Sequence, residues 1–253
     1  MENHIKQGII IEFFGLPGSG KTTLANMFAD KLEQSGYSIQ KSIYRINNEC
    51  NTIARLLIKT YTTLCFTLNN FPFIYNLFSF IYEEKNIFRN LKDIIKQWIN
   101  ICFVLNYINK GNETDIVIAD QGVIQAAISI SFYHKNIDLN SIIKRLISQI
   151  SKNQVFIYVH VDIEKDLKRL KNRKNGKSRL EKENNTIIKT MQLQKIESQC
   201  NTIANSFKCI VIDNNESYSA ELSTTNNINT IISNLVQEVI TKYLLRLEDI
   251  SSL

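Results

Sequence analysis

The chain has 253 residues and a formal net charge of +6, enough for one large α/β domain, with or without an insertion, around a full core. That charge suits anionic ligands without requiring nucleic acid. The five cysteines (Cys50, Cys65, Cys102, Cys200, Cys209) show no C-x-x-C pair and no zinc spacing, which excludes a zinc module and points to reduced thiols in a cytoplasmic protein.

No basic-then-apolar leader precedes the first element. Gly8 to Phe14 (GIIIEFF) reads as a short buried strand, and Thr23 to Gln34 as a helix with Leu24, Phe28 and Leu32 on one face. Between them, Gly15-Leu16-Pro17-Gly18-Ser19-Gly20-Lys21-Thr22 fits G-x-x-x-x-G-K-[ST] at every fixed position. Glycines let successive main-chain N–H groups turn inward around an anion, and the helix N-terminus adds its partial positive charge. The cofactor-binding stretch therefore runs from Gly15 through Thr23. ATP is the expected occupant, with Lys21 reaching its outer phosphates and Thr22 holding Mg²⁺ through its hydroxyl.

Gly36 stops the helix, and Tyr37 to Tyr44 reads as a second strand ending at Arg45. Residues 46–110 then form a helical block. Within it, Thr60 to Tyr82 carries no charge and is long enough to cross a bilayer, but Asn69-Asn70-Phe71-Pro72 interrupts it, so no transmembrane span is expected. Leu57, Tyr61, Leu64, Cys65 and Leu68 make an apolar stripe before the break, and Phe73, Ile74, Leu77, Phe78, Ile81 and Tyr82 cover most of the helix after it. Two buried helices are expected. The alternative is a docking surface at 60–82 for a second copy, another protein or a membrane surface. The last helix of the block follows from Ile87, Leu91, Ile94, Ile95, Trp98, Cys102 and Leu105.

Asp115 to Asp120 is a third strand, apolar between two carboxylates and so central and parallel. Helices follow to about residue 133 and from Leu139 to Ser151. Gln154 to Asp162 is a fourth strand, with Asp162 placed to cap the helix Ile163 to Lys174. A helical stretch over 181–206 leads to a fifth strand, Lys208 to Asp213, and Asn227 to Leu247 closes the chain as a helix. Strands alternating with helices imply an α/β fold, a parallel sheet covered on both faces that binds ligands at the carboxyl ends of its strands.

Asp120, at the end of the third strand, is where a second magnesium-associated carboxylate belongs. The next residue is Gln121 where water-splitting ATPases usually carry glutamate, and neither an N-K-x-D nor an L-S-G-G-Q segment is present. Transfer to another acceptor is the expectation. Between Ile163 and Lys182, nine basic residues face three acidic ones, a local +6. Arg169 and Arg173 share a helix face, and Arg179 follows the turn Asn175-Gly176-Lys177-Ser178, so these arginines could gather phosphate charge from a flap. A solvated basic helix and loop is the plainer reading. Nucleic acid is not expected, because no aromatic residues are interleaved for base stacking.

These residues resemble the nucleoside monophosphate kinase-like group of P-loop kinases, with thymidylate kinases nearest in pattern. The resemblance rests on GIIIEFFGLPGSGKTTL at 8–24, Asp120, the helix with Arg169 and Arg173, Ser178-Arg179-Leu180-Glu181, and Val211-Ile212-Asp213. It implies a three-layer P-loop NTPase fold, a single domain with a five-stranded parallel sheet in the order 2-3-1-4-5, a helical acceptor-side insertion at 46–110 and a lid at 174–181. It also implies Arg45 as an acceptor-phosphate contact. Asp120-Gln121-Gly122 stands where thymidylate members carry Asp-Arg-Tyr or Asp-Arg-Phe, and Ser178 where aspartate is usual. Gln121 with Gln125 is similar to thymidylate-kinase-like proteins of open acceptor. The leading expectation is an ATP- and Mg²⁺-dependent kinase of a small acceptor, with Lys21, Asp120, Arg169, Arg173 and Arg179 in the chemistry. The rival is a nucleotide-dependent switch that docks a partner through 60–82.

Overall fold

The computed structural model describes residues 8–81, 91–110, 116–131, 137–172, 185–215 and 222–241. They fall into two compact units. One carries the described parts of Met1–Gln40, Thr114–Asp120 and Asn153–Leu253, the other those of Lys41–Glu113 and Gln121–Lys152. The second unit takes in more of the chain than the expected helical insertion.

The first unit is built on five strands, β1 (Ile9–Gly15), β2 (Ile39–Gln40), β3 (Ile116–Ala119), β4 (Asn153–His160) and β5 (Ile210–Asp213). Every pairing is parallel and the order is β2-β3-β1-β4-β5, as the resemblance implies. Period-two alternation splits β1 cleanly. Ile9, Ile11 and Phe13 pack with Leu24, Phe28 and Leu32 of α1 (Lys21–Gln34) and with Ile232, Leu235 and Val236 of α10 (Leu222–Val239). Ile10, Glu12 and Phe14 occupy the opposite face, where Phe14 stacks on Tyr158 with centroids 5.3 Å apart. There α9 (Thr186–Ser206) buries Leu193, Ile196, Cys200 and Ile203. Among the described residues this unit has one further helix, α8, spanning Ile163–Lys171.

β2 is shorter than expected. It is an edge strand that pairs only with the four-residue β3, through Ile39 and Gln40, and the chain then enters α2 (Ser42–Asn48). Ile43 and Ile46 are buried at helical spacing, so the period of 3.6 prevails over the alternation in SIQKSIY. Arg45 consequently lies on a helix rather than at a strand end.

The second unit is helical, with α2, α3 (Thr52–Asn69), α4 (Phe71–Ile81), α5 (Leu91–Lys110), α6 (Val123–Ser131) and α7 (Leu139–Ile147). Its α3 is turned the opposite way from the expectation of a buried leucine stripe. The buried face carries Thr62, Thr63 and Phe66, while Leu57, Tyr61 and Leu68 are 66%, 68% and 80% exposed. Threonines can be buried here because each hydroxyl donates to the preceding turn, Thr62 Oγ1 to the Ile58 carbonyl and Thr63 Oγ1 to the Lys59 carbonyl, both at 2.6 Å. Thr67 completes the polar seam. Its Oγ1 accepts from Trp98 Nε1 at 3.0 Å and lies 3.6 Å from Cys102 Sγ on α5. Lys59 sets its ammonium 4.6 Å from the centre of the Phe103 ring.

The Asn69–Pro72 break is real, with α3 and α4 meeting at a 101° bend. Among the described residues no single helix is long and apolar enough to cross a membrane. All five cysteines are free thiols. Burial pushes Cys102 up to about 11 and Cys200 and Cys209 up to about 12, so these three are protonated fillers at neutral pH.

Phe28 is fully buried, edge-on to Phe13 with centroids 5.6 Å apart. Phe28→Ala should cost about 3–5 kcal/mol of unfolding free energy in a urea titration, the cavity cost of a core aromatic. A loss near zero would contradict this packing.

Candidate functional site

The site grows from the end of β1. The chain leaves the strand at Gly15, and the residues up to Gly20 double back before α1 begins at Lys21. Gly20 takes φ 87°, a left-handed conformation that side-chain-bearing residues disfavour, and stands as the N-cap of α1 with no side chain bonded over the helix end. Ser19 N donates to the Leu16 carbonyl at 3.1 Å, closing the turn. A Cβ at Gly18 would overlap Asp166 Oδ1 on α8, so glycine is required where the loop presses on that buried carboxylate.

Three polar side chains gather beside this loop. Lys21 Nζ donates to the Leu16 carbonyl at 2.6 Å, which folds the ammonium back over the loop. Thr22 Oγ1 donates to Asp120 Oδ2 at 2.8 Å. Asp120 follows β3, which pairs directly with β1, so the adjacency of these strands brings positions 22 and 120 together. Burial pushes the Asp120 carboxyl above the ordinary aspartate range, a rise opposed by the Thr22 hydrogen bond and by the charge of Lys21. Its other oxygen, Oδ1, is buried with no hydrogen-bond partner. An orphaned anionic oxygen beside a threonine hydroxyl fits a hard divalent cation. Mg²⁺ takes few protein oxygens and leaves its other positions to phosphates and water. The pair meets that requirement.

Asn214, which no motif in the sequence singled out, ties the site together. Its backbone N donates to the His160 carbonyl at 2.9 Å and extends the β4–β5 ladder by one step. Its side-chain Nδ2 donates to the Ser19 carbonyl at 2.7 Å, and its own carbonyl accepts from Arg169 Nη2 at 2.9 Å. Arg169 is thus tied, through Asn214, to the residue that bonds the Ser19 carbonyl. Asn215 extends the same clamp. Its Oδ1 accepts from Asp162 N at 2.7 Å, and its Nδ2 donates to Asp162 Oδ1 at 3.1 Å. Asp162 therefore stands at the N-cap of α8 without a side-chain cap bond, because its carboxylate is engaged by Asn215. Both asparagines lie just beyond a strand end, and only that position marked them.

The remaining sequence candidates fall elsewhere. Arg45 is exposed on α2, Gln121 is exposed just after Asp120, and Gln125 is half-buried on α6, all within the second unit. Arg173, Arg179 and the expected lid at 174–181 lie outside the described residues.

No family model matches the chain. A probable adenylyl-sulfate kinase of Aeropyrum pernix is 50% identical over 36 residues, 14% of this chain, and the match spans only 20% of that protein's length. Shikimate kinase from Acinetobacter baumannii, solved in complex with shikimate, superposes with a TM-score of 0.51 at 15% identity, covering 95% of this chain and 97% of that one. Thymidylate kinase from Candida albicans gives a TM-score of 0.46 at 15% identity, with 93% and 92% covered. The enzyme from Ehrlichia chaffeensis gives 0.47 at 15%, with 92% and 99% covered. The chain has the fold of the P-loop kinases, as its motifs led one to expect.

Three variants test this geometry. A folded-state rise at Asp120 means that the protonated acid favours folding; that contribution is present below the ordinary aspartate range and is lost as pH rises through the raised value. Asp120→Asn does not titrate, so its Tm minus that of the native chain should grow as pH rises above the ordinary aspartate range, and a constant difference would refute the shift. Asn214→Ala should lower unfolding free energy by about 1–3 kcal/mol in urea, because it strands the buried Ser19 carbonyl. Asn214→Asp, which cannot donate to that carbonyl, should cost as much.

Proposed function

We propose that this chain is a magnesium-dependent phosphotransferase that moves the γ-phosphoryl group of ATP to a small polar acceptor. The observation that supports it most is the convergence, at the uncapped N-terminus of one helix, of a main-chain loop, Lys21, and the bonded pair Thr22 and Asp120. Each part suits one portion of a triphosphate. Loop N–H groups and the helix dipole suit the inner phosphates, and Lys21 the outer ones once its ammonium leaves the Leu16 carbonyl. A magnesium ion held by Thr22 and Asp120 would neutralise charge on the β- and γ-phosphate oxygens.

Transfer breaks the bond between the γ-phosphorus and the β,γ-bridging oxygen and forms one to the acceptor oxygen, with ADP leaving and the acceptor proton released. Little covalent work falls to the protein, whose share is positioning and charge stabilisation. Arg173 and Arg179 are the proposed charge gatherers. Arg169 is assigned a bracing role through Asn214. Arg45, Gln121 and Gln125 stay as proposed acceptor contacts. The absence of the Asp-Arg pair, with Gln121 in its place, favours an acceptor other than a nucleoside monophosphate. A switch that binds nucleotide and docks a partner is the second reading, and the exposed apolar face of α3 supports it.

A panel of acceptors separates the readings. Shikimate, thymidylate, adenylyl sulfate, nucleosides and sugars are each offered with labelled ATP and magnesium, and ADP release is followed. The kinase reading expects release that depends on one acceptor class, and Lys21→Ala should reduce kcat/KM for it by about a hundredfold or more. Slow release indifferent to every acceptor would favour the switch. Unchanged ATP affinity in Lys21→Ala by calorimetry would overturn the site itself.

A further inference from the structure

Arg55 and Lys59 recur at helical spacing with Thr62, Thr63 and Phe66, so both cations lie toward the buried side of α3. Each is half-buried there. Arg55 Nη1 donates to the Asn47 carbonyl at 3.0 Å, which leaves the other arm of its guanidinium fork to a further acceptor. Lys59 has the Phe103 ring centre 4.6 Å from its ammonium, and among the described residues no carboxylate or carbonyl takes its charge. Burial lowers this ammonium below the ordinary lysine range, and the charge of Arg55 adds to the fall.

The facing side of α5 brings a third cation and an unmatched donor. Phe103, Asn106, Tyr107 and Lys110 stand at i, i+3, i+4 and i+7, one face of the helix, and the Lys59–Phe103 contact shows that this face meets α3. Asn106 Nδ2 is buried without a hydrogen-bond partner. Lys110 lies 5.9 Å from the centre of the Tyr107 ring, which packs on Phe103 with centroids 4.9 Å apart.

Taking charge out of water is costly unless an opposite charge meets it. In this seam two cations repel each other beside a stranded amide donor, a surplus that an oxyanion would complete. Guanidinium and ammonium groups both suit phosphate oxygens, and three cations favour a dianion over a carboxylate. We propose that the seam between α3 and α5 is a second anion site, in which Arg55 and Lys59 hold a phosphate group beside Asn106. None of these residues belongs to the phosphate loop or to the acceptor contacts assigned above, so the site stands whether or not the chain transfers phosphoryl groups.

Equilibrium dialysis with labelled inorganic phosphate tests it, on the full Lys21→Ala chain so that the phosphate loop contributes least. That chain should still bind one phosphate, with a Kd below about 1 mM. Arg55→Gln with Lys59→Gln should raise this Kd by about tenfold or more, and phosphate should no longer raise the Tm. Lys144→Gln, at an exposed lysine of α7, removes a charge from the same unit and should leave the Kd within about twofold. Should the double variant fail to fold by circular dichroism, Lys59→Gln alone carries the test. Phenyl phosphate that binds more tightly than inorganic phosphate supports a phosphate carried on a larger molecule, and binding no tighter supports the free ion. A Lys21→Ala chain that binds no phosphate overturns the proposal. So does binding that survives the glutamine substitutions, or an equal loss in Lys144→Gln.

Discussion

The hydrogen bond from Thr22 to Asp120 is the constraint on which the rest of the site depends. It joins the first turn of α1 to the end of β3, and it exists because β3 pairs directly with β1. In the order β2-β3-β1-β4-β5, the chain fills one side of β1 before crossing to the other. The carboxyl end of β1 is therefore the point where connections diverge, and a crevice for ligands opens there in parallel sheets. Strand order brings the loop after β1, Lys21 and the buried carboxylate of Asp120 together.

Burial makes this site electrostatically demanding. Asp120 is only 4% exposed, and desolvation disfavours its charge more than Thr22 and Lys21 restore it. A positive charge brought beside such a carboxylate would favour its ionised form. Behind the loop, Asp166 presses on Gly18 and Asn214 holds the Ser19 carbonyl. The loop is thus contacted by α8 and by the segment after β5, while Lys21 folds back onto the Leu16 carbonyl. Arg169 donates to the Asn214 carbonyl, an engagement that spacing along a helix does not reveal.

The helical unit shows how hydrophobic pattern and burial can part company. The leucines of α3 make the more apolar stripe, yet Thr62, Thr63 and Phe66 are the residues covered. Threonine hydroxyls bonded to the preceding turn remove most of the cost of burying that face, and the Trp98–Thr67 bond selects it as the side facing α5. The leucine stripe is left on the surface. Hydrophobic periodicity identifies a helix and its two faces, but the choice between them rests with the partner helix.

By itself the sequence determined the local elements and the phosphate loop. Alternating Ile9, Ile11 and Phe13, the helical spacing of Leu24, Phe28 and Leu32, and the fixed glycines and lysine between them are short-range codes, each satisfied within a few residues. Strand order was legible through resemblance, and Asp120 through its place at a strand end. Only the tertiary structure decided the length of β2, the outward turn of α3, the diversion of Asp162 to Asn215 and the clamp at Asn214. Each of these is a competition between partners distant in the chain, for which pattern along the chain carries no term. Asn214 meets Ser19 across 195 residues, and no spacing rule spans that distance.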